Sequence, residues 1–397
     1  MSMKKYIFIF CILFLFLSNI SFIRMIVGPT YLGWFTNCTY VIGIIFLLPD
    51  VYKRASKQEW LYIFMMILGL VFHSLLPDNK KYTIVDSVQW IFPIVILIAS
   101  RKYNLPRYFF QILLCFFIIN CILAIVEFRL QKNLFDYYYV ESFVDGAANN
   151  AFRAFALMEH PLYSANITAV IMSFILVQKN ISWKYKTILL ALGTFALLSF
   201  NSRAALIIWP CLLIYRTLLY NRRRIYIIIL GLLVYVLFLN DFMSFIQQNS
   251  TIFGRLAEKN SLQDESALTR LLSYVIFWNS RWNSEDIVLG GRILFLPGTE
   301  YSLENGILLT ISWWGWIVGA LKVTLELIIS FLCLKNYMVK DKWIVMIACW
   351  GIAFANNNSF NTFVFVFFII AFLGFNSLDK TQKLNKEQNT KGLKILK

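Results

Sequence analysis

The sequence predicts an all-α polytopic membrane protein with about twelve transmembrane helices. Three observations predict it. Of the 397 residues, 59% are hydrophobic, against roughly 45–50% in soluble domains. Apolar windows of roughly 17–20 residues, long enough to cross a hydrocarbon core of about 30 Å, recur along the chain. Within them the apolar residues run continuously and do not alternate, which excludes a transmembrane β-barrel.

Taken in order, the windows cover 6–23, 31–48, 60–76, 84–99, 108–126, 161–177, 187–200, 204–215, 225–239, 305–334, 343–355 and 362–375. Lys4 and Lys5 ahead of the first resemble the start of a signal peptide, but the run is long and has no small-residue cleavage site. An uncleaved first span is expected. The eighth window crosses only if it tilts. The tenth is long enough to extend past the bilayer. Charge orients the set. With both termini in the cytoplasm, two-thirds of the 37 Lys and Arg fall on the inner side, and every inner loop is basic. The net charge of +16 is then a property of those loops, not a sign of nucleic-acid binding. This layout gives a multi-pass membrane protein with both termini in the cytoplasm.

Residues 1–378 form one integral membrane domain. Two long segments, 127–160 and 240–304, face outward. The second reads as a large external loop with short amphipathic helices. The tail, 379–397, is polar, rich in Lys and without aromatics. It is expected to be disordered and to lie on anionic headgroups, so membrane lipids are partners. All seven cysteines fall inside spans as small apolar fillers, and no metal-ligand spacing occurs. The absence of an internal repeat counts against transporter folds built from inverted halves.

Outward loops normally avoid cations. Eight of the twelve outward cations sit in 127–160 and 240–304, and four outward segments point to an anionic ligand such as a lipid-linked phosphate or pyrophosphate. The first runs from Arg153 through Glu159, His160 and Pro161 to Asn166. Arg153 suits a phosphate, His160 handles protons near neutral pH, and Pro161 suits a helix start. The second is Asn201-Ser202-Arg203, a tight turn in which Ser202 is placed to cap the next helix and its amides face an anion. The third joins Thr269-Arg270 to Gly290-Gly291-Arg292. Its first part reads as an amphipathic helix on the membrane, and its Gly pair permits a tight turn or a close backbone approach. Arg255, Lys259 and Arg281 share this loop. The fourth is Glu304-Asn305-Gly306 with Trp314-Gly315 and Gly319, in which Glu304 sits where an apolar setting raises a carboxylate pKa. Each has a plainer alternative as an ordinary loop, a headgroup contact or a helix-start residue. His73, Asp86, Gln89 and Lys322, polar residues inside spans, are assigned structural roles, with Lys322 within reach of a neighbouring acid. The aromatics Phe135 to Tyr139 suit either sugar stacking or the membrane interface.

In this order the four segments resemble those of the O-antigen ligase and O-antigen polymerase-like superfamily of bacterial surface-polysaccharide enzymes. The likeness spans about 153–319. Ligases carry a His before the Asn where this chain has Glu304, and a Gly-x-Gly where it has Gly290-Gly291. The first departure favours a repeat-unit polymerase over a ligase-type transferase. The resemblance implies a C-type glycosyltransferase-like membrane fold. It also implies metal-free glycosyl transfer from one polyprenyl-pyrophosphate-linked oligosaccharide to another, with a chain-length regulator protein as a further partner. The product would be O-antigen, capsule or exopolysaccharide. Arg203 and Arg270 would clamp the diphosphate, Arg153, Arg292, Arg255 and Asn305 would contact substrate, and Glu304 or His160 would be the base. The other functions the residues allow are a flippase for the same lipid-linked sugar and a structural or sensor protein.

Overall fold

The computed structural model describes residues 3–76, 84–135, 137, 152–220, 265–292, 294, 305–355 and 364–378. For 84–87, 203, 219–220, 265–271 and 355 it describes the backbone alone. Among the described residues all regular structure is helical. The helices are α1 (Met3–Ser18), α2 (Ser21–Val27), α3 (Pro29–Arg54), α4 (Lys57–Ser74), α5 (Ile84–Ala99), α6 (Arg107–Leu130), α7 (Pro161–Val177), α8 (Trp183–Phe200), α9 (Arg203–Tyr220), α10 (Glu265–Asn279), α11 (Ser284–Val288), α12 (Gly306–Trp314) and α13 (Trp316–Cys333). Then α14 (Val339–Met346) passes through a π turn (Ile347–Gly351) into Ile352–Ala355, and α15 covers Val364–Leu378.

Among the described residues three helices, α3, α6 and α13 with its short extension to Asn336, are long and apolar enough to cross a membrane. The bent pair α1–α2 makes a fourth when counted as one span. Apolar helical stretches at Val88–Ala99, Pro161–Val177, Ala204–Leu218 and Val364–Leu378 are shorter. The expected window 225–239, the tail 379–397 and all of 240–264 lie outside the described residues.

Two expected spans are broken, each for a local reason. The chain bends by 90° between α1 and α2. There Asn19 Nδ2 donates to the Leu15 carbonyl at 2.8 Å, so a side chain terminates α1. The Phe22 amide then bonds the Leu157 carbonyl at 3.0 Å, which ties α2 to the outer loop and not to the line of α1. The tenth window does not form one long helix. It splits at Gly315, whose φ of 79° and ψ of 160° no helix accommodates. Gly319 then lets the α12 backbone at Ile311 come within contact of α13, so the two halves fold against each other.

The core is continuous. α3 packs on α5 and α1, α8 lies between α6 and α7, and α4 lies along α13. Outward faces are apolar as well: Trp34, Phe35, Ile45, Phe64, Ile119, Ile188 and Phe195 are half exposed or more. Apolar surface of this extent belongs against lipid. All seven cysteines are free, and Cys11, Cys121 and Cys349 are buried.

At one end of the bundle, basic groups are paired. Arg101 bonds Glu59, which also closes a capping box with Ser56 at the start of α4. Asp50 accepts from Lys102 Nζ at 2.5 Å and from the Tyr103 hydroxyl at 2.7 Å. Deep between the ends, Lys322 reaches the acid expected of it. Its Nζ lies 2.8 Å from Glu326 Oε1, one helical turn on, and 4.3 Å from the centre of the Trp90 ring. Tyr62 donates to the same carboxylate oxygen at 3.0 Å.

Candidate functional site

The first outer segment is held from beneath. Glu127, fully buried at the end of α6, accepts the amides of Phe155 at 2.7 Å and Ala156 at 2.8 Å on one oxygen. Its other oxygen accepts the Leu134 amide at 3.0 Å. Ala156 takes φ 54°, which turns two successive amides toward that oxygen. Asn120 accepts the Leu157 amide at 3.1 Å, and the Tyr137 hydroxyl donates to the Ala156 carbonyl at 2.8 Å. The loop carrying Arg153 and His160 is therefore set by a buried polar scaffold. Tyr137 is spent on this scaffold and is buried, so it does not offer its face to a sugar. Asp136, Tyr138 and Tyr139 lie outside the described residues.

Pro161 occupies the first turn of α7, as its ring geometry favours, and His160 is the N-cap. His160 Nδ1 accepts the Leu162 amide at 3.1 Å, which leaves the ring proton of the neutral form on Nε2. Burial, and then the nearby Arg153 charge, pull its pKa down to about 4. A neutral imidazole with its lone pair already engaged is a hydrogen-bond donor, which runs against the expectation of a base. The unfolded chain takes up this proton near pH 6.5 and the folded one only near 4. The resulting stability is fully present above pH 6.5 and is lost as pH falls toward 4. The thermal midpoint of the detergent-solubilised chain is expected to fall across that window by the equivalent of about 3 kcal/mol. His160→Asn keeps a capping acceptor and has no such proton, so its melting curve should change less with pH. An equal slope in both proteins would refute this. The neighbouring Glu159–Arg24 pair, at 3.6 Å, is common to both.

The second segment joins the first through the backbone: the Ala154 amide donates to the Ser199 carbonyl at 3.0 Å. This sets the Arg153 segment beside the turn that opens α9. Asn201 closes α8 in the left-handed conformation, with φ 52° and ψ 42°. Ser202 does not cap α9 as expected. It is 1% exposed, and its hydroxyl is buried with no hydrogen-bond partner among the described residues. A buried, unsatisfied hydroxyl at the N-terminus of an 18-residue helix is costly unless a ligand meets it. The Arg203 backbone begins that helix, and its side chain lies outside the described residues.

The third and fourth segments also join each other. The Gly291 amide donates to the Trp313 carbonyl at 2.8 Å, and the Arg292 amide to the Ser312 carbonyl at 3.3 Å. A side chain on Gly290, at φ 77°, would sit 2.3 Å from the Trp313 carbonyl oxygen. The expected close approach is thus a loop backbone laid on the helix break. His73 Nε2 reaches the same Trp313 oxygen at 2.8 Å from α4, and since a carbonyl only accepts, that nitrogen carries the proton. α10 is anchored by Phe277 against Trp282 and Trp316. Its Tyr274, Val275 and Trp278 face outward, as a helix lying on a membrane would have them.

Two expected substrate contacts are committed elsewhere. Asn305 is buried, and its Oδ1 caps α12 by accepting the Ile307 and Leu308 amides, each at 3.1 Å. Arg292 bonds the Arg281 carbonyl at 2.5 Å and Asp286 at 3.1 Å, and it lies over Trp282. Both therefore shape the loop. Arg255, Lys259 and Glu304, and the side chains of Arg270 and Asp86, lie outside the described residues. Gln89 makes a long contact to Asn37, 3.5 Å. Asn166 Nδ2 bonds the Cys349 carbonyl in the π turn at 3.2 Å, which ties α7 to the helix that follows α14.

Ile352–Ala355 lies against both α9 and α12, the helices that follow the second segment and carry the fourth. The groups sequence reading overlooked are Glu127, Asn120 and Glu326. The signal for each was a polar side chain inside or at the edge of an apolar window. Among the described residues no three His, Cys, Asp or Glu side chains gather to hold a metal ion. Among the described residues the protein is all-helical, with apolar helices of the membrane-crossing kind. The chain matches no protein-family model, no curated protein and no solved structure.

Proposed function

We propose that the chain polymerises polyprenyl-pyrophosphate-linked oligosaccharide repeats on the outer face of a bacterial cytoplasmic membrane. In this reading it has about twelve spans and both termini inside. The acceptor sugar hydroxyl attacks the anomeric carbon of the donor, the bond from that carbon to the pyrophosphate oxygen breaks, and the polyprenyl pyrophosphate departs. Negative charge grows on the departing oxygens. The α9 N-terminus, Arg203, Arg153 and Arg270 are the groups that would stabilise it. Glu304 is the candidate to receive the hydroxyl proton, and His160 is suited to donating a hydrogen bond.

The supporting observation is the pairing of the outer segments: the Ala154–Ser199 bond links the first two, and the Gly291–Trp313 bond links the last two. Arg153 and Arg203 sit on segments linked by the Ala154–Ser199 bond, next to the unsatisfied Ser202 hydroxyl. A flippase would need cationic groups along an inner cavity. The Lys322 charge is instead met by Glu326 within its own helix. Cells lacking the chain should accumulate lipid-linked single repeats accessible from outside. Single repeats confined to the inner face would indicate a flippase, and an unchanged glycolipid pool would overturn both readings.

A further inference from the structure

A cavity of about 630 Å³ opens at the basic end of the bundle, opposite the outer segments. It lies between the start of α4 and the ends of α5, α13 and α15. Its floor is apolar, with Leu97, Ile329 and Phe372, and its rim carries Arg101, Lys335 and Ser100. The volume suits a small amphiphile or the head region of a lipid.

The charge of this rim is not balanced. Glu59 also lines the cavity, but its carboxylate is used up: Arg101 holds one oxygen, and the Ser56 amide and hydroxyl hold the other at 2.7 and 2.8 Å. Arg101 is fixed in place by a second bond, to the Arg54 carbonyl at 2.5 Å, and is still 40% exposed. Lys335 is exposed and has no acidic partner among the described residues. One carboxylate therefore faces two cations. The space has room for one further negative charge at the rim and for apolar material beneath it. Cation-rimmed pockets between helices on the cytoplasmic side are where anionic headgroups settle. The positive-inside rule turns this end toward the cytoplasm.

We propose that this cavity binds one anionic phospholipid of the cytoplasmic leaflet. Its phosphate sits against Arg101 and Lys335, and the start of its acyl chains lies over Ile329 and Phe372. The site is independent of the polymerase reading and stands or falls separately from it.

The test is native mass spectrometry of the full chain in mild detergent, titrated with phosphatidylglycerol or phosphatidylcholine. The first phosphatidylglycerol should be retained at least fivefold more tightly. Lys335→Gln should reduce that preference about fivefold, the effect of one cation near a lipid surface. Lys340→Gln, at the same end but outside the cavity, should leave it unchanged. Equal retention of the two lipids would overturn the proposal, as would an unaltered preference in Lys335→Gln. Displacement of the lipid by inorganic phosphate would overturn it too, because the site would then be one for free phosphate.

Discussion

Arg270→Lys is expected to reduce polymer formation by about 10²–10³-fold at equal protein level. The charge is preserved, so a simple headgroup contact would survive the change. What is lost is the planar fork that meets two phosphate oxygens at once, which an ammonium cannot reproduce. Losing one preorganised contact to a developing oxyanion typically costs on the order of 2.7–4 kcal/mol of barrier. Arg270 lies in the first half of α10, whose far half is anchored by Phe277 against Trp282 and Trp316. The substitution therefore should not unseat the helix. The measurement is the length distribution of surface polysaccharide in a deletion strain carrying the variant. Near-normal polymer would remove Arg270 from the clamp.

Lys322→Met is expected to lower stability by about 3–5 kcal/mol, because it leaves Glu326 charged and without its counter-ion in the interior. Tyr62, which donates to the same oxygen at 3.0 Å, offsets only part of that loss. The double variant Lys322→Met with Glu326→Leu removes both charges and should recover most of the loss or exceed the parent. Thermal unfolding of the purified chain in detergent reads both. A double variant no better than the single one would mean that the pair is not the source of the effect. Recovery of stability without recovery of polymer would assign the pair a part in function.

Much of the fold was legible because apolar runs are unambiguous, and α3 and α6 follow their windows closely. The breaks were not. Asn19 and Gly315 each sit in apolar sequence, where an average over a window hides one residue with a decisive backbone or side-chain preference. At the site, Pro161 and the Gly290-Gly291 turn behave as their chemistry predicts, since steric rules act locally. Ser202, Asn305 and Arg292 departed from expectation for the opposite reason. Whether a hydroxyl, amide or guanidinium is spent within the protein depends on partners such as Asp286 and on helix ends that only tertiary structure supplies. Glu127 shows the same limit: its partners, Phe155 and Ala156, lie far along the chain.

The junction of Gly290-Gly291 with Ser312 and Trp313 is made of main-chain atoms. Side-chain substitution around it does not remove those bonds, so residues near the turn are free to change while its geometry persists. It also makes the loop and the helix break one lever: a pull on the loop would reach α12 and α13 through two amides.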